Sequence, residues 1–184
     1  YYATEDIDTS NTVNGKPLYY LINQSDSLID PSTFPDIGYL ALVNSTHVTV
    51  KDLNLTKNNQ GLLFAYTTNS TIENVKASNN RYGIEIIDSS NNTISCNILT
   101  NNDEGIRLEK SCGNTVIGND IISNDDGIRA SHSNNNTINC NTISNNQRGM
   151  EFCFFNVGNT ISNNTIVSNS KGGIRLAHSD NNNI

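Results

Sequence analysis

Two consecutive stretches decide the fold: GIRLEKSCGNTVIGNDIISNDD, residues 105–126, and GIRASHSNNNTINCNTISNNQR, residues 127–148. Each opens on Gly followed by an apolar residue, and that pair recurs at a constant interval at Gly61, Gly83, Gly105, Gly127 and Gly149. The next match, Gly173, comes late and requires two single-residue insertions, and a weaker one, Gly38, precedes Gly61 by slightly more than the interval. A fixed period of about 22 residues marks a solenoid, a propeller or an array.

Within a unit the apolar residues fall at alternate positions. Ile84 and Ile86, Ile106 and Leu108, Ile128 and Ala130, Met150 and Phe152, and Ile174 and Leu176 form one set of pairs. A second strand carries Ile94, Val116, Ile138 and Ile161, and a third carries Leu99, Ile122, Ile143 and Ile166 if a one-residue shift is allowed. Brief alternation means short strands with one buried face. Three such strands and three turns fill one period and make one coil. The spacing therefore predicts an all-β, right-handed parallel β-helix (a β-solenoid), its coils stacked at about 4.8 Å. No helical window survives the Asn, Gly and β-branched residues, and the Leu spacing of a leucine-rich repeat is absent.

Asn accounts for 34 of the 184 residues. Asn disfavours helix interiors and favours turns and left-handed backbone, so Asn at fixed spacing implies many identical turns. Stacking would place Asn92, Asn114, Asn136 and Asn159 in one ladder, Asn97, Asn119, Asn141 and Asn164 in another, and Thr71, Thr93, Thr115, Thr137 and Thr160 in a third. An amide both donates and accepts, so an Asn column can bond coil to coil. The formal charge of −7, without a basic stripe, argues against a nucleic-acid partner. No apolar run of about 18 residues argues for membrane insertion.

Residues 1–37 fall outside this register and are read as an N-terminal strand and loop segment that covers or extends the stack, with coils over 38–184. Asn14-Gly15 is a turn signal, followed by alternating Leu18, Tyr20 and Ile22, while Pro31 and Pro35 mark a loop. At the other end the pattern stops in mid-coil at Ile184 with no capping unit. The expectation is an open edge through which the chain self-associates, or which more coils occupy in the natural protein.

The units, of form GIxIxxSxNNTIxxNxIxxN, resemble the parallel β-helix repeats of NosD-type proteins and of carbohydrate-binding and sugar-hydrolase domains. The stretch DTSNTVNGKPLYYLINQS, residues 8–25, is similar to segments preceding such repeats in archaeal secreted NosD-like proteins. The resemblance implies a β-helix scaffold outside the cytoplasm, and its name implies a periplasmic copper-binding role in assembling nitrous oxide reductase.

For copper, the donors to weigh are His132 and His178, at the same coil position but two coils apart with Phe154 between them, and Cys153 beside Phe154. Two coils are about 9.6 Å, too far for one ion, so no metal and no cofactor is expected. Cys96 and Cys140 share a coil position but stand two coils apart, and Cys112 and Cys153 occupy different positions, so four free thiols are expected. By parity with Ile94 and Ile138, Cys96 and Cys140 are read as pointing inward, and the thiols as mostly buried.

For carbohydrate chemistry, Glu85, Arg107, Arg129, Glu151 and Arg175 lie on the outer face of the strand after each Gly, and Glu104 in the turn before one. In family enzymes such as polygalacturonases and pectate lyases this strand face binds sugar chains, which makes these residues glycan-binding candidates. Asp103, Asp125 and Asp126 are the candidate catalytic carboxylates, since glycoside hydrolysis needs a pair about 5–9.5 Å apart. The Gly-His-Gly and Arg-Ile-Lys signatures of polygalacturonases and the Asp-Pro-His-Asp motif of alginate epimerases are missing, and the aromatic side chains near this face are Tyr82, Phe154 and Phe155. Asn-x-Ser/Thr sequons at Asn23, Asn44, Asn54, Asn69, Asn91, Asn135 and Asn163 are candidate glycosylation sites in a secreted context. These readings converge on a secreted or cell-surface module with a structural or glycan-contacting role and polysaccharide as its partner. A polysaccharide-modifying enzyme and a copper-delivery protein stand as the alternatives.

Overall fold

The structure, a computed structural model, describes residues 7–184. All of its regular structure is β, in sheets of nine, seven and six strands that run the length of the stack. Every pairing between coils is parallel. The molecule is a parallel β-helix whose three sheets are the three sides of the coil.

The nine-stranded sheet holds the longest strands, among them Tyr82–Ile87, Glu104–Glu109, Asp126–Ser131 and Arg148–Cys153. Ile84 pairs with Ile106, Ile106 with Ile128, Ile128 with Met150, and Met150 with Ile174, giving the interior column expected from the repeat. Ile94, Val116, Ile138 and Ile161 make the second column. The third requires no shift: Leu99 pairs with Ile121, Ile121 with Ile143, and Ile143 with Ile166. Ile121 is buried and Ile122 only half-buried, so the expectation for Ile122 was one residue out. Two adjacent isoleucines look alike in sequence, and only the register chooses the inward one.

The corners explain the asparagines. A backbone N–H at a bend cannot reach the next coil's carbonyl in the manner of a ladder, so an inward side chain substitutes for it. The Asn97 N–H donates to Asn119 Oδ1 at 2.9 Å, and Asn119 Nδ2 in turn donates to the Ile94 carbonyl at 2.9 Å and to Asn141 Oδ1 at 2.9 Å. The Asn92–Asn114–Asn136–Asn159 column repeats this arrangement. Two further columns were not read from the sequence: Asn80, Asn102, Asn124, Asn146 and Asn169, and the hydroxyls of Ser89, Ser111 and Ser133.

The repeating glycine has a steric cause. A Cβ on Gly105 would stand 2.6 Å from the Gly127 carbonyl oxygen, and one on Gly127 would stand 2.5 Å from that of Gly149. Coils approach too closely here for any side chain.

At the N-terminal end, Thr12–Val13 and Lys16–Ile22 form an antiparallel pair around Asn14-Gly15, both left-handed. Lys16–Ile22 then pairs in parallel with Tyr39–Val43, and Leu28–Ile29 with Thr49–Lys51, so these strands extend the stack. At the other end Gly172–Ala177 is an edge strand whose core residues Ile174 and Leu176 are 37% and 39% exposed. On the outer side of the nine-stranded sheet, Ala41, Val43, Leu63 and Ala65 form a second apolar cluster against Tyr20, Ile22, Tyr39 and Ile87.

The cysteines are free. Cys96 and Cys140, expected to point inward, are exposed instead. Both sit at corners with left-handed backbone (φ 56° and 55°), and the bend breaks the alternation counted from Ile94 and Ile138. Of the four, only Cys153 is buried.

Candidate functional site

The outer face of the nine-stranded sheet carries the chemistry. Ile106 and Leu108 point into the core, so Arg107 and Glu109 point out. The close glycine stack bends each strand, and the residue before the glycine comes to the same outer side. Gln60 Nε2 donates to Glu85 Oε2 at 2.9 Å, Glu104 meets Arg107 at 3.2 Å, and Asp126 meets Arg148 at 2.9 Å.

The result is a continuous ladder of opposite charges. Arg107 bridges Glu85 at 3.3 Å, Glu104 at 3.2 Å and Glu109 at 3.3 Å. Arg129 reaches Glu104 at 3.2 Å, Glu151 at 3.8 Å and Asp126 at 3.9 Å. Arg148 approaches Glu151 at 3.9 Å, and Arg175 pairs with Glu151 directly. The carboxylates of Glu85, Glu104, Asp126 and Glu151 are buried, while the guanidiniums lie over them and remain partly exposed. Burial pushes the Glu85 and Glu104 carboxyls above the usual carboxylate range, against the pull of Gln60 and Arg107 on Glu85 and of Arg107 and Arg129 on Glu104. The buried Tyr82 ring is approached by two guanidiniums, with Arg81 4.9 Å and Arg107 5.0 Å from its centre.

All six glycan-binding candidates, Glu85, Glu104, Arg107, Arg129, Glu151 and Arg175, fall in this one ladder. The three catalytic candidates separate: Asp126 is buried within it, whereas Asp103 and Asp125 are exposed in the preceding turns, where Asp125 accepts a hydrogen bond from Gln147. The seven sequon asparagines are all exposed, at corners or, for Asn54, on an outer strand face.

At the corner that follows this face, His132, Phe154 with Phe155, and His178 stand in successive coils. The His132 N–H donates to the Phe154 carbonyl and the Phe155 N–H to the His178 carbonyl, each at 2.8 Å. The His132 ring stacks on Phe154, with centres 6.2 Å apart and planes 9° apart. Next to it opens a cavity of about 250 Å³ lined by Arg129, Glu151, Cys153, Phe154, Arg175, Ala177 and His178. The copper implied by the resemblance does not fit these donors. Phe154 occupies the coil between the two imidazoles, and the Cys153 thiol lies against the Ala130 carbonyl at 3.7 Å. Among the described residues no three His, Cys, Asp or Glu side chains converge on a common point suited to a metal ion.

Comparison with solved structures returns β-helix proteins that act on polysaccharides or belong to phage tails. A double mutant of the periplasmic alginate epimerase AlgG superposes with TM-score 0.49 at 17% identity, over 86% of this chain and 54% of that one. The Azotobacter vinelandii mannuronan C-5 epimerase AlgE6 A-module gives 0.43 at 16% identity, over 86% and 58%. The enzymatically active domain of bacteriophage CBA120 tailspike protein 2 gives 0.46 at 15%, over 66% and 24%. The chain thus spans little more than half, or less, of the chains it resembles. No curated protein sequence matches. A family model does, over residues 10–184, and by it the chain belongs to the NosD family, described as periplasmic copper-binding protein.

Proposed function

We propose that the chain is a secreted or cell-surface β-solenoid module that holds polysaccharide against the outer face of its nine-stranded sheet without altering it. The observation that carries this reading is the ladder from Glu85 to Arg175. It offers a row of partly exposed planar guanidiniums on one face of the scaffold. Its buried carboxylates are already held by guanidiniums. A carboxylate so engaged is poorly placed to transfer a proton or attack a sugar, but the partly exposed guanidiniums keep donors for hydroxyl and carboxylate groups.

The test for this reading is a glycan array followed by incubation with uronic-acid and neutral polymers. Retention of polymer with unchanged length and composition is expected, and weaker retention by Arg107→Gln. Appearance of shortened, unsaturated or epimerised product, lost in Asp103→Asn or Asp126→Asn, would replace it with the enzyme reading. Tight stoichiometric copper binding lost when His132 and His178 are both changed to Ala would favour the copper reading.

A further inference from the structure

We propose that the corner cavity beside Phe154 is a subsite for the ring of an acidic sugar. Phe154 would be the stacking surface, Arg175 and Arg129 would hold the carboxylate, and Cys153 and Ala177 would form the floor. The proposal rests on the glycan reading above and assigns it a place and a substrate class.

The argument begins with what this corner costs the fold. Phe154 and Phe155 both have left-handed backbone, φ 61° and 58°. For a bulky residue that conformation costs roughly 1–3 kcal/mol. Equivalent corners hold Asn44, Tyr66, Asp88, Lys110 and His132, side chains whose polar groups can face water. Here one residue has been inserted: Ser133 bonds to Asn156, 23 residues on, where Ser111 bonds to Ser133, 22 residues on. Residues Phe154 and Phe155 are 51% and 68% exposed, so burial does not offset the strain. The His132 ring covers part of Phe154 and Phe155, and a ligand on the uncovered side would account for the remaining exposure at this inserted, strained corner.

The cavity wall then selects the ligand. Arg129 is held by Glu104, Asp126 and Glu151, and Arg148 by Asp126 and Glu151, whereas Arg175 is paired with Glu151. The Arg175 side chain is 61% exposed and meets Glu151 through Nη1, so other donors of its five remain for an anion. The floor is open because the outward residues here are small: Cys153 pairs with Ala177, where earlier coils place Ile87 beside Glu109. An aromatic face on one side and a largely exposed guanidinium on the other match a pyranose ring bearing a carboxylate.

The experiment titrates the intact chain, by calorimetry, with an oligogalacturonate and with a neutral oligosaccharide of equal length. The acidic oligomer is expected to bind at least about tenfold more tightly. Arg175→Gln should remove that preference. Phe154→Asn should weaken binding of the acidic oligomer by about tenfold. Because Asn suits left-handed backbone, this variant should melt no lower than the parent, which separates lost binding from lost folding. Equal affinity for both oligomers overturns the proposal. So does binding unchanged in Phe154→Asn but lost in Arg107→Gln, an outcome that leaves the general glycan reading standing. Absence of binding to either oligomer, with retention of neither on the array, brings down both.

Discussion

Asn119 joins Asn97 to Asn141: its Oδ1 accepts both the Asn97 N–H and Asn97 Nδ2, each at 2.9 Å, while its own Nδ2 donates to Asn141 Oδ1 at 2.9 Å. Removing that amide leaves buried polar groups unmatched above and below it. Asn119→Ala is expected to destabilise the fold by about 2–4 kcal/mol, measured by urea unfolding. Asn164→Ala, nearer the open end and less buried, should cost less. Equal losses at the two positions would mean that the ladder does not act as a continuous column.

The glycine stack predicts a second gradient. Gly127→Ala places a methyl 2.5 Å from the Gly149 carbonyl oxygen and should lower stability by about 1–3 kcal/mol. Gly173→Ala meets only Ile166 Cγ2 at 3.4 Å and should be nearly neutral. Thermal melts of the two variants, compared with the parent, decide the matter.

Thiol labelling reports the corner geometry. Under native conditions Cys96 and Cys140 should react rapidly and Cys153 slowly, while denaturant should expose four reactive thiols per chain. Slow labelling of Cys96 and Cys140 would return them to the interior and overturn the left-handed corners drawn here.

The buried acids set a pH dependence. Desolvation raises the Glu85 and Glu104 carboxyls above their unfolded values, so between the unfolded and folded pKa values the folded chain binds more protons than the unfolded one. Their contribution to stability therefore increases as pH falls through that window and diminishes as pH rises through the folded values. Carboxyl-carbon NMR titration should place both midpoints above that of an exposed glutamate. Midpoints below it would show that the guanidiniums outweigh burial.

What the sequence determined by itself was the repeat, and with it the fold. A constant period in Gly, Asn and Ile is a statement about stacking, because each coil must place like residues over like. Hence the columns through Ile106, Val116, Asn114 and Asn119 are legible in the repeat alone. Ile121 against Ile122, and the outward turn of Cys96 and Cys140, were not. Parity along a strand is local, but the sense of a corner depends on φ values that coils above and below impose. The ladder was partly legible, since Glu85, Arg107, Arg129, Glu151 and Arg175 lie at equivalent positions and Glu104 stands just before a repeating glycine. That Asp126 and Arg148 join it, while Asp103 and Asp125 stay in the turns, follows from the close approach of the coils at the glycines, where carbonyl oxygens and the next coil compete for the same space. The pairing of Phe154 with a cavity walled by Arg129 and Arg175 also belongs to the tertiary structure alone. Those residues are remote in sequence, and only the pitch of the coil brings them side by side.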